Sequence, residues 1–140
     1  MIAVIFEVWP DGEDGTRHYL GLAAALLADL KAMDGFISVE RFQSLSEPGK
    51  LLSLSFWRDE EAVRAWRNLP SHRATQGAGR AGVFRDYRLR VAAVIRDYGL
   101  NERDEAPADS RAAHAASDDE ELLGGHREIG RQAGDEHLLG

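Results

Sequence analysis

The chain contains no cysteine. That excludes a disulfide framework, a thiol nucleophile and a thiolate metal site. No apolar run approaches the roughly 20 residues that cross a bilayer. The N-terminal segment MIAVIFEVWPDGEDG has no basic region and turns acidic after Trp9, so a soluble, cytoplasmic protein is expected. Aromatic residues are absent beyond Tyr98, the last of 11, and residues 101–140 therefore hold no large ring with which to build a core. Excess positive charge is also absent. The chain has 17 basic and 24 acidic side chains, net -7; residues 1–100 carry 13 of each, and residues 101–140 carry 4 against 11. A neutral body and an acidic tail repel phosphate backbones, so nucleic acid is not an expected partner.

What is present suits one domain of about 100–150 residues. It is assigned to residues 1–100. Residues 101–140 read as an acidic low-complexity tail, whose Ala, Gly, Asp and Glu bias predicts disorder with a fragment of helix near Asp118 to Leu123. Residues 2–9 alternate Ile2, Val4, Phe6 and Val8 with Ala3, Ile5, Glu7 and Trp9, the pattern of a buried strand closed by Pro10. From Thr16, an expected N-cap, apolar residues recur at Tyr19, Leu22, Ala23, Leu26, Leu27, Leu30 and Met33, the stripe of an amphipathic helix stopped by Asp34-Gly35.

Two strand-like runs, FISVERFQSL and KLLSLSFW, flank a Glu47-Pro48-Gly49 turn and predict a hairpin. Asp59 caps a second helix with Ala62, Val63, Trp66 and Leu69 inward; Pro70 breaks or kinks it, and Ser71 restarts a turn carrying His72, Thr75, Gln76 and Arg80. In DYRLRVAAVIRDYG, Tyr87, Leu89, Val91, Ala93 and Ile95 share one face of a long fourth strand, and Arg88, Arg90 and Arg96 share the other. The order strand, helix, strand, strand, helix, strand is the ferredoxin-like βαββαβ of an α+β fold. Its helices cover one sheet face only. The first and third strands are largely apolar on both faces, so a second copy of the sheet is the simplest cover for the other.

Ser55-Phe56-Trp57, the run WRNLPSHRATQGAGR from Trp66 to Arg80 and the closing YRLRV strand together resemble the antibiotic biosynthesis monooxygenase family. The resemblance spans about 100 of the 140 residues. It implies a dimeric α/β barrel, two ferredoxin-like sheets packed face to face. It also implies either of two chemistries: oxygenation of electron-rich phenols without metal or flavin, or binding and degradation of heme. Heme-degrading relatives carry an Asn on the first strand, a Trp in the second long helix and an iron-binding His about three turns later. Here Trp66 matches the Trp, but Glu7 stands for the Asn and Gln76 near the His, which disfavours heme.

Each candidate residue has a plainer alternative. Trp66 is either a core residue or the wall of a substrate pocket. His72 is either a solvated side chain or a general base, its ordinary pKa of about 6.5 suiting proton abstraction near neutrality. Asn68 ends a helix or donates to an oxyanion. Glu7, among apolar neighbours, is either a base of raised pKa or the partner of an arginine from the last strand. Arg80, Arg88 and Arg90 bind an anionic substrate or form an ion-paired surface. His18 and His72 lack spaced partners, and His114, His126 and His137 lie in the tail, so no metal site is expected. The reading that follows is a small homodimeric oxygenase needing no cofactor, acting on a small aromatic molecule with His72 or Glu7 as base and Trp66, Asn68 and Arg80 at the substrate. The rival is a non-catalytic ligand-binding or stress-associated dimer of the same fold.

Overall fold

The structure, a computed structural model, describes residues 1–78 and 82–115. It divides into two compact units, Met1–Ala93 and a second that begins at Val94. In the first unit the elements are β1 (Ile2–Pro10), α1 (Gly12–Lys31), β2 (Phe36–Gln43), β3 (Leu51–Trp57), α2 (Glu60–Arg67), α3 (Pro70–Ala78) and β4 (Phe84–Ala93). The strands form one open antiparallel sheet in the order β2-β3-β1-β4. This is the expected split βαβ arrangement, with the second helix in two pieces joined at Pro70.

The strand period of two decides what each face of β1 meets. Val8 packs with Tyr19, Leu51 and Val83, joined by Phe6 and Phe84. Ile2 and Val4 pack against Leu30, Trp57, Ala62 and Val63. These residues place α1 and α2 on one face, where burying each large apolar side chain contributes roughly 1.5–3 kcal/mol. Ala3, Ile5, Glu7 and Trp9 occupy the other face, beside Leu52, Leu54 and Phe56 of β3 and Arg88 and Arg90 of β4. At Phe36/Ser38 the β2–β3 register shifts, and Ile37 is left half-exposed.

Three boundaries differ from the sequence pattern, each for a local reason. Helix α1 begins at Gly12 instead of Thr16, whose hydroxyl donates to the Gly12 carbonyl within the first turn (3.0 Å). Glu13 and Asp14 sit in that turn, where the helix dipole favours negative charge. The helix ends at Lys31, and the turn that follows uses Gly35 at φ +85, where a Cβ would stand 2.7 Å from that of Ala62. Strand β4 stops at Ala93 because Ala93 pairs with Ile2, the first residue of β1, so Ile95 and Arg96 have no ladder partner.

In the second unit, the Gly99 N–H donates to the Glu102 carbonyl (2.8 Å), and the Arg103 guanidinium stands 5.1 Å from the Tyr98 ring centroid. Residues 108–115 are helical where the composition predicts disorder. Pro107 just before the helix and the alanine-rich run after it explain the difference, since both favour helix at those positions. The helical fragment expected at Asp118 to Leu123 lies outside the described residues. Among the described residues no helix is long and apolar enough to cross a membrane.

Candidate functional site

Asp59 caps α2 by accepting from the Ala62 N–H (2.9 Å), and this fixes the start of the helix that carries Trp66. One turn beyond Ala62 and Val63, Trp66 comes down on Trp57, a side chain only 1% exposed; their ring centroids lie 6.3 Å apart. Phe36 packs edge-on against Trp57 from the other side, at 5.4 Å. Pro70 has no N–H to continue α2 but suits the first position of a helix, and α3 starts there. The change of direction carries His72 back over Trp66. The two rings stack, with centroids 4.5 Å apart and planes at 21°.

His72 Nδ1 lies 3.1 Å from the Trp66 carbonyl oxygen. A carbonyl only accepts, so Nδ1 holds the proton and Nε2 keeps the lone pair of the neutral imidazole. Burial pushes the His72 pKa below its ordinary value of 6.5, the nearby Arg73 charge adds to that, and the hydrogen bond to Trp66 opposes it. The side chain is therefore an uncharged base at neutral pH.

His72 and Trp66 line a cavity of about 420 Å³ between the helices and the sheet. Val4 and Phe6 of β1 with Ser53 and Ser55 of β3 line it on the sheet side, and Tyr19, Ala23, Leu26 and Leu30 of α1 line it from the helix layer. Tyr87, Leu89 and Val91 of the edge strand also line it and are half-exposed. Gln76 lines it as well, its side-chain oxygen accepting from Arg73 at 3.1 Å.

The other expected site residues stand elsewhere. Asn68 is exposed at the end of α2; its amide donates to the Arg64 carbonyl (2.9 Å) and its oxygen accepts from Arg73 (2.7 Å). Glu7 faces away from the helices. Its carboxylate accepts from Arg90 Nη1 at 2.5 Å and lies 2.9 Å from Lys50 Nζ. The Lys50 contact is the largest cause holding its pKa below the ordinary 4.5; burial opposes it, and Arg90 adds to the lowering. A raised pKa is thus corrected to a lowered one, with the arginine of the last strand as partner. Glu7 lines a separate, open hollow of about 320 Å³ with Ile5, Phe42 and Leu52. Arg80 lies outside the described residues. Among the described residues no three His, Asp or Glu side chains converge as a metal site would need.

The sequence reading missed Arg41, Arg67 and Arg73, which all line the helix-side cavity. The signal for Arg41 was the alternation of β2, which puts it on one face with Val39.

Comparison with known proteins agrees with this architecture. A family model described as antibiotic biosynthesis monooxygenase matches residues 1–78. A jasmonate monooxygenase of Pyricularia oryzae is 46% identical over 102 residues, 73% of this chain and 47% of that protein, so the chain spans about half of that relative's length. Rv0793 from Mycobacterium tuberculosis superposes with a TM-score of 0.62 at 21% identity, covering 70% of this chain and 98% of its own. SnoaB, a cofactor-independent oxygenase from Streptomyces nogalater, superposes with a TM-score of 0.60 at 14% identity, covering 69% of this chain and 94% of its own. These two structures bear on the fold alone.

Proposed function

The chain belongs to the antibiotic biosynthesis monooxygenase family, and on that premise we propose that it is a cofactor-independent monooxygenase acting on an aromatic, phenolic small molecule held in the helix-side cavity. The observation that carries this reading is His72: a neutral imidazole with Nε2 unprotonated, stacked on Trp66 at the wall of a largely apolar cavity.

Such a site needs little machinery. His72 takes the phenol proton, and the phenolate, richer in electrons than the phenol, gives one electron to dioxygen. The resulting radical pair combines at the ring carbon to a hydroperoxide, which loses water to leave a quinone carbonyl. One oxygen atom ends in the product and the other in water. The substrate supplies all four electrons, so the balance needs no external reductant. An apolar wall keeps solvent from the radical pair, and Trp66, backed by the buried Trp57, offers aromatic surface against which a substrate ring packs. Asn68 acts on this site through Arg73, whose guanidinium it holds. Glu7 belongs to the charge network of the opposite face.

That opposite face supports a second part of the proposal, a homodimer. Ile5, Leu52, Leu54, Phe56 and Phe42 form an apolar surface on an open sheet, and a second copy covers it while closing a barrel. Sedimentation over a range of micromolar concentrations checks this, and a persistent monomer would contradict it. The oxygenase reading is tested by oxygen uptake with a panel of phenols under oxygen-18. One labelled atom per quinone is expected, and no uptake with any phenol would defeat it.

A further inference from the structure

Among the described residues, the lining of the helix-side cavity includes three arginines, Arg41, Arg67 and Arg73, and no Asp or Glu. None of the three has an ion-pair partner among the described residues. The unit's other clustered cations do: Arg58 meets Asp34 and Asp59, and Lys50 and Arg90 meet Glu7. Arg67 and Arg73 are exposed, Arg73 also donating to Asn68 and Gln76, but Arg41 is half-buried on β2. Its Nε donates to the hydroxyl of Tyr19 (3.4 Å), and its guanidinium stands 5.8 Å from the Tyr19 ring centroid. Among the described residues the remaining Arg41 donors have no carboxylate to meet.

Two neutral groups complete the corner. The Tyr19 hydroxyl, which accepts from Arg41, keeps its own proton to donate. Ser53 is the cross-strand partner of Arg41 and lines the same cavity. A planar fork beside two hydroxyls suits a carboxylate, which takes paired hydrogen bonds from a guanidinium. We infer that the cavity takes an apolar ligand carrying a carboxylate, bound at the corner formed by Arg41, Tyr19 and Ser53.

This names the substrate class for the proposed oxygenase and rests on that reading for the ligand's being a substrate. It also orients the ligand. Ser53 lies four residues along β3 from Trp57, about 13 Å at the usual rise, and Trp57 carries Trp66 and, through it, His72. The carboxylate and the carbon that reacts therefore sit at opposite ends of the molecule.

Calorimetric titration of the full chain with 2-naphthoate and with 2-naphthamide, equal in shape and different in charge, tests the inference without turnover. The acid is expected to bind at least about tenfold tighter than the amide. Arg41→Gln should cut that ratio to about threefold or less with amide affinity within about twofold of wild type, and Arg90→Gln, on the other face, should leave the ratio unchanged. If Arg41→Gln does not fold, Tyr19→Phe, which keeps the ring and removes the hydroxyl, should still lower the ratio by about threefold. A wild-type ratio near one, or a ratio that neither cavity substitution moves, overturns the inference. Acid preference without phenol oxygenation would refute the oxygenase reading and leave the acid site standing; oxygenation without acid preference would refute the acid site alone.

Discussion

On the face of the sheet away from the helices, Glu7 meets Arg90 at 2.5 Å and Lys50 at 2.9 Å. On the helix side, Arg41 meets a tyrosine hydroxyl and, among the described residues, no carboxylate, and His72 meets a backbone carbonyl. Both faces are largely apolar and belong to the same four strands, so hydrophobicity does not tell them apart. Their charges do. Where acid and base are matched, each silences the other and the surface can be covered by more protein. Where cations stand around a cavity without acids among the described residues, the inferred ligand supplies the anion, and at the far end of the cavity a neutral imidazole is free to take a proton.

The largest expected difference between the faces is catalytic. His72→Ala should lower turnover of a phenol about 10²–10⁴-fold, the usual worth of a positioned base, with the melting temperature little changed. Glu7→Gln should leave turnover within about threefold of wild type, since its network lies across the sheet and a solvated ion pair carries little. Steady-state kinetics on the two variants check this, and equal losses would erase the comparison.

Next in size is the wall between cavity and sheet. Trp57→Ala removes a side chain 1% exposed and should destabilise the fold by about 3–5 kcal/mol in urea titration. Gly35→Ala should cost about 1–3 kcal/mol, because it places a Cβ at φ +85 and 2.7 Å from Ala62. Either loss would open the helix layer, while the Glu7 face would keep its ion pairs.

The smallest effects are those of pH on stability, and both faces push in one direction. Glu7 has a lowered pKa, so its contribution is present above 4.5 and disappears as pH falls through the folded value. His72 is also lowered; below 6.5 the unfolded chain gains a proton that the folded one resists, and stability falls. Denaturant midpoints should decline in two steps on acidification. Glu7→Gln should shrink the lower step, to which Asp34 and Asp59, both lowered by Arg58, also contribute, and His72→Ala should remove the upper.

Much of this architecture was legible from local pattern. The alternation of Ile2, Val4, Phe6 and Val8, the three-four stripe from Tyr19 to Leu30, the Asp59 cap and the Pro70 break each act over a few residues. What was not legible depends on distant partners. Glu7 read either as a raised base or as the partner of an arginine, and distant partners, Lys50 on one side and Arg90 from 83 positions away on the other, decide between them. Arg41 gains its meaning from Tyr19, 22 residues earlier on another element. The end of β4 was set by the first residue of β1 and by nothing in its own sequence.

The central claim is that oxygenation takes place on the helix side with neutral His72 as the base. The pH dependence of kcat/KM for phenol oxygenation tests it most directly, measured in wild type, Glu7→Gln and His72→Ala from pH 4.5 to 8. An acid limb at a pKa below 6.5 is expected in wild type and Glu7→Gln, and it should vanish in the residual activity of His72→Ala. A limb that moves with Glu7→Gln, or one that persists unchanged without His72, would contradict the account.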